Sequence, residues 1–128
     1  MSIIIDGLKY TETHEWVKDN GDGTILCGIT DHAQHQLTDI VFVELPKIGK
    51  TFKKGDQIAV VESVKAVSDV YSPAACEVIE VNSKLEDLPE TLNKDPYDNG
   101  WILKLKLSNP EEITSLMDSV KYKEFVGE

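Results

Sequence analysis

Between residues 8 and 107 the apolar positions fall in short, β-branched runs rather than in the three-to-four-residue rhythm of a helix. Thr24 to Ile29, Ile40 to Leu45, Ile58 to Val61, Val67 to Tyr71 and Val78 to Val81 have strand length and strand composition. Trp101 to Leu107 is the clearest. Leu103, Leu105 and Leu107 alternate with Lys104 and Lys106, which predicts a half-buried strand with a solvated basic face. Turn residues separate these runs: Asp19-Asn20-Gly21-Asp22-Gly23 predicts a hairpin connection, Gly49 and Gly55 lie between two strands, and Ser72-Pro73 ends another. Two helices are predicted within this mainly β pattern. The first is short, near 31–37, with Thr30 or Asp31 as its cap. The second, near 110–122, has Asn109 as N-cap, Pro110 at the first helical position and Glu111 and Glu112 at the positive end of the dipole. Ile113, Leu116, Met117 and Val120 would form its buried stripe. Residues 84–100 read as a long ordered loop. Many short strands with regular turns imply one compact β-barrel or sandwich domain spanning 1–128.

Charge narrows the choice of partners. The 128 residues hold 23 acids against 13 bases, a formal net charge of -10. Such a field disfavours nucleic acid and anionic membrane surfaces, and it favours partners with basic docking patches and a soluble monomer. No apolar run approaches a membrane span. The opening residues, Met1 to Gly7, carry no basic region and only three consecutive apolar residues, so neither a secretory signal nor a transit peptide is expected. Cys27 and Cys76 are too few for a disulfide-stapled secreted domain, and a cytoplasmic location is the expectation.

Chemistry-bearing motifs are sparse. His14, His32 and His35 lack zinc-ligand spacing, although His32 and His35 could meet on the first helix. No phosphate loop or nucleophile motif occurs, so a catalytic role is not expected. One segment stands apart. Ile58 to Val61 and Ala66 to Val70 are apolar strands around a short polar turn, Glu62 to Lys65, that contains neither glycine nor proline. Lys65 is therefore expected at an exposed hairpin tip, either as a solubilising turn residue or as the anchor for a tethered cofactor on its flexible stem.

Glu62-Ser63-Val64-Lys65-Ala66, followed by Ser68-Asp69 and Ser72-Pro73, resembles the lipoylation hairpin of the glycine cleavage system H protein family. The resemblance continues through Gly7 to Tyr10, His14 to Val17, Gly28 to Gln34, Asp39 to Pro46, Glu77 to Asn82, Asn93 to Tyr97 and Gly100-Trp101, in order along nearly the whole chain. It implies a flattened barrel–sandwich hybrid of two antiparallel sheets with a C-terminal helix. It implies lipoic acid joined covalently to Lys65, and Glu62 read by a lipoate ligase or lipoyl transferase. Thr13, Glu15 and Asp69 match the family's arm-docking cleft. The implied role is a carrier that takes the aminomethyl group of glycine from a pyridoxal-phosphate glycine decarboxylase to a tetrahydrofolate-dependent aminomethyltransferase. Dihydrolipoamide dehydrogenase would then reoxidise the arm. A lipoate relay to other carriers would look nearly the same. A biotin carrier would have methionines beside the lysine, where this chain has Val64 and Ala66. Cys76 departs from the family, which commonly has glycine there, and a glycine could serve a positive φ.

Overall fold

The computed structural model describes residues 2–128. Nine strands form two antiparallel sheets. The larger has six: β1 (Lys9–Tyr10), β2 (Glu15–Asp19), β3 (Thr24–Ile29), β5 (Thr51–Phe52), β8 (Cys76–Val81) and β9 (Leu103–Leu107), in the order β1-β2-β3-β9-β8-β5. The smaller has three: β4 (Ile40–Glu44), β6 (Gln57–Ser63) and β7 (Val67–Tyr71), in the order β4-β6-β7. The sheets do not close into a barrel; the fold is the expected two-sheet architecture, flattened around one apolar layer. Val17, Ile25 and Leu105 of the large sheet meet Val43, Val61 and Val70 of the small one there, and all six are nearly inaccessible.

The large sheet is covered on its other face as well. On β2 the side chains alternate, so Val17 enters the inter-sheet layer while Trp16 joins Tyr10 and Tyr122 in a second cluster behind the sheet. Tyr10 and Tyr122 stack with centroids 4.5 Å apart. Gly28 lies opposite Trp16, and a Cβ there would sit 2.9 Å from the indole nitrogen, so glycine lets the ring lie flat on β3. That indole donates to the Pro96 carbonyl at 2.9 Å.

Helix α1 (Asp31–Leu37) forms as expected, and Thr30 is its cap: the hydroxyl accepts from the Ala33 N–H. The stretch expected to be a loop holds two single-turn helices, α2 (Lys84–Asp87) and α3 (Thr91–Lys94), because Leu85 and Leu92 are drawn into the core.

The C-terminal helix expected near 110–122 is corrected. Asn109 caps a 3₁₀ turn (Pro110–Ser115), the chain then extends through Leu116 and Met117, and α4 (Ser119–Val126) starts afresh with Asp118 as its cap. The physical reason is a competing hydrogen-bond partner. Met117 N–H donates to the Tyr10 carbonyl and Tyr10 N–H to the Met117 carbonyl, at 3.0 and 2.8 Å, so this point becomes a β-bridge onto β1. Ile113 is buried and Leu116 and Met117 are half-buried, whereas Val120, the fourth residue of the expected stripe, is exposed.

Candidate functional site

Strands β6 and β7 pair from Gln57–Tyr71 up to Glu62–Val67, so β6 runs through Ser63 and the turn is Val64-Lys65-Ala66. Glu62 thus belongs to the strand and not to the turn. Ser63 takes the place of a turn glycine. Its N–H donates to the Ala66 carbonyl at 2.8 Å, and its hydroxyl oxygen accepts from the N–H groups of Ala66 and Lys65 at 3.1 and 3.3 Å. Val64 N–H donates to the Asp39 carbonyl at 3.0 Å, tying the tip to β4. Lys65 is exposed, and its ammonium has no hydrogen-bond or ion-pair partner among the described residues. The backbone beneath this side chain is held while the side chain itself is free.

Of the three residues matched to an arm-docking cleft, the structure brings two together. A cleft of about 490 Å³ is walled by Tyr10, Thr13, Glu15, Tyr71, Pro73, Leu116 and Met117, among others. Glu15 is 2% exposed, since it shares the inner face of β2 with Val17. The hydroxyls of Thr11 and Thr13 both donate to its Oε1, and the Tyr71 N–H donates to Oε2 at 3.3 Å. Burial pushes its carboxyl above the ordinary range, and those three donors pull it part of the way back. An ionised carboxylate has about four acceptor positions. Three are filled from the protein, so the Oε2 side keeps room for one further donor. Asp69 is exposed and lies outside the cleft wall, with its carboxylate accepting from Gln57 Nε2 at 3.0 Å. It stands two residues before Tyr71 on β7, so alternation puts the two on one face of the strand.

Thr11, Tyr71, Leu116 and Met117 were not singled out from the sequence as cleft residues. Alternation along β7 from Val67 through Asp69 to Tyr71 was the available signal for one of them. Leu116 and Met117 were hidden inside a helical pattern.

The histidines pair differently from the expectation on α1. His32 lies against His14, with ring centroids 4.6 Å apart, while His35 reaches Asp31 at 3.8 Å. His14 shares a hydrogen bond of 2.9 Å with the Tyr122 hydroxyl, and burial followed by the neighbouring His32 lowers its pKa. Among the described residues no three His, Cys, Asp or Glu side chains are placed to hold a metal ion. Cys27 and Cys76 are free and buried, and burial raises both thiols. Cys76 lies in β8, is not among the residues with positive φ, and fills space beside Ser72. A glycine's conformational freedom is therefore not required there.

Comparison with known proteins agrees across family, relatives and structure. Residues 8–128 match the family model described as glycine cleavage H-protein. A glycine cleavage system H protein of Chromohalobacter salexigens is 56% identical over 127 residues, covering 99% of this chain and 97% of its own. One from Laribacter hongkongensis is 55% identical over 127 residues, covering 99% and 100%. The crystal structure of a glycine cleavage system H protein from Mycobacterium marinum superposes with a TM-score of 0.89 at 35% identity, over 98% of this chain and 100% of that one.

Proposed function

The chain belongs to the glycine cleavage H-protein family, and on that premise we propose that it is a lipoyl carrier whose Lys65 holds lipoic acid in amide linkage. H proteins are the carrier component of the glycine cleavage system and not one of its catalysts. The observation that supports this reading best is the free Lys65 ammonium on a turn whose backbone N–H groups are all hydrogen-bonded. An acylating enzyme needs an exposed amine that it can approach without unfolding the hairpin.

The residues present fit the group. A lysine stem lengthened by an eight-carbon acyl chain has β7 as its track. At about 3.3 Å per residue Tyr71 lies roughly 13 Å along the strand from Val67, which directly follows the turn that carries Lys65. The apolar walls given by Tyr71, Pro73, Leu116 and Met117 suit the alkyl chain and dithiolane ring. The lipoyl group supplies a disulfide that accepts a one-carbon amine and two electrons. Glu15 and Thr13 then do the holding: the remaining acceptor position on Glu15 takes an N–H of a protonated amine, and Thr13 keeps the carboxylate oriented. A charge-assisted hydrogen bond of this kind contributes about 1.5–3 kcal/mol, which retains the cargo without trapping it. Asp69 offers a solvated carboxylate on the way. Glu62 is proposed as the acid read by the lipoate ligase or lipoyl transferase. Glycine decarboxylase, aminomethyltransferase and dihydrolipoamide dehydrogenase are the proposed users of the loaded arm.

Intact mass after incubation with lipoate ligase, ATP and lipoate tests the anchor. The chain is expected to gain one lipoyl group, and Lys65→Arg to gain none. Acylation of Lys65→Arg at another lysine would overturn the assignment.

A further inference from the structure

Four large apolar side chains lie bare around the same hairpin. Val41, Phe42, Val64 and Val67 are 53%, 46%, 67% and 65% exposed, and they account for four of the ten large hydrophobic residues left in solvent among the described residues. Their grouping has a structural cause. Opposite residues in antiparallel strands point to one face, so the pairs Phe42–Glu62 and Glu62–Val67 set Phe42, Glu62 and Val67 in a row across the outer face of the small sheet. A β-bulge between Ile40 and Phe42 then places an extra β4 residue against β6, and Val41 turns outward beside Phe42. Val64 sits in the turn next to Lys65, tied to Asp39 at the start of β4. Charge around this patch is one-sided. Residues 39–45 and 57–71 carry Asp39, Glu44, Glu62 and Asp69, and Lys65 is their only base.

We propose that this apolar collar, formed by Val41, Phe42, Val64 and Val67 beside Lys65, is the docking surface for the enzyme that acylates Lys65. That enzyme would present an apolar ring flanked by basic side chains. The proposal rests on the reading of Lys65 as the lipoyl anchor. Reach selects the occupant. An enzyme that attaches the arm must bring its own catalytic groups to the lysine nitrogen, one side chain's length from the turn, so its surface closes on whatever surrounds the tip. An enzyme that uses the loaded arm meets it at the far end of the acyl chain and can stand clear of the hairpin. Charge selects the rim: four carboxylates and a single ammonium draw a basic mouth during encounter.

The test is steady-state lipoylation of the apo protein by a purified lipoate ligase, read by intact mass. The parent is compared with the double variant Phe42→Thr/Val67→Thr, and with Val120→Thr on α4 as the control; Val120 is also 64% exposed. Threonine suits strands, so the hairpin is expected to keep its melting temperature. The double variant should raise KM for the protein roughly tenfold, the effect of one or two central interface contacts, with kcat retained. Val120→Thr should leave KM unchanged, and added salt should raise the parent's KM. A parental KM in the double variant overturns the proposal, as does an equal rise in Val120→Thr. If the double variant melts early, Val64→Thr in the turn replaces it under the same expectations. A parent that sediments as a dimer, dissociated by Phe42→Thr/Val67→Thr, would assign the collar to a second copy instead. Failure of the parent to be modified at all would remove the Lys65 reading beneath it, which is a separate outcome.

Discussion

Glu15 sits between an exposed threonine rim and the inter-sheet core, and its protonation is coupled to folding. Burial raises its carboxyl in the folded chain, whereas the unfolded chain releases the proton near 4.5. Between that value and the higher folded one, folding takes up a proton, so stability falls as pH rises. His14 acts with the opposite sign. Its lowered folded value makes the unfolded chain bind the extra proton, so its contribution is lost as pH falls below 6.5. The two slopes are separated by difference. Glu15→Gln removes only the first, and the variant should therefore gain stability relative to the parent as pH is raised from 4.5 towards 7. Each unit by which the folded carboxyl is raised contributes about 1.4 kcal/mol to that gain. Urea unfolding at a series of pH values measures it, and parallel curves would show that the carboxyl is not raised. Nothing local in His14-Glu15-Trp16 announces this burial. Glu15 is held by Thr11 and Thr13 before it and by Tyr71, 56 residues further on, and the last of these is a tertiary contact.

At the scale of elements, the instructive segment is 110–126. Its apolar residues fall at helical spacing, yet they do not share one neighbour. Ile113 and Leu116 dock on the main core, Met117 joins the Tyr10 cluster, and Val120 faces solvent. Periodicity alone cannot distinguish one stripe from two separate contacts and an exposed residue, because the decision lies with the free backbone groups of Tyr10 on a distant strand. Asp118 was the readable sign of a fresh start. Its carboxylate accepts from the Lys121 N–H at 2.9 Å, and Asp118→Ala is expected to cost about 0.5–2 kcal/mol in chemical denaturation. The variant should also loosen α4 without loss of lipoylation at Lys65; an unchanged midpoint would mean that the cap does not hold α4. The strands were legible because β-branched runs, Gly-rich turns and the alternation of Leu103 to Leu107 are local signals. So were the caps at Thr30 and Asn109 and the exposed tip at Lys65. Strands β1 and β5, with two residues each, carry no periodicity to read. Helices α2 and α3 were missed because one turn held by a single buried leucine resembles an ordered loop.

The whole molecule divides its labour between the sheets. The small one presents Lys65, the acids and the bare apolar collar, while the large one is packed on both faces and contributes Tyr10 and Glu15 to the cleft. That arrangement leaves β1 as the outermost strand of the large sheet, with a row of backbone groups that no neighbouring strand of that sheet satisfies. The extended pair Leu116–Met117 follows the 3₁₀ turn here, and Met117 exchanges two hydrogen bonds with Tyr10. The same two residues that wall the cleft therefore act as a guard against edge-to-edge association between molecules. Proline at 117 removes the donor to the Tyr10 carbonyl. Met117→Pro should consequently form larger, β-rich species at concentrations where the parent does not, seen by light scattering together with a dye that binds cross-β assemblies. If the variant stays as dispersed as the parent, the bridge does not serve as that guard. The break in the C-terminal helix then has a second consequence beside shaping the cleft: it keeps a β-sheet with an open flank from recruiting its own kind.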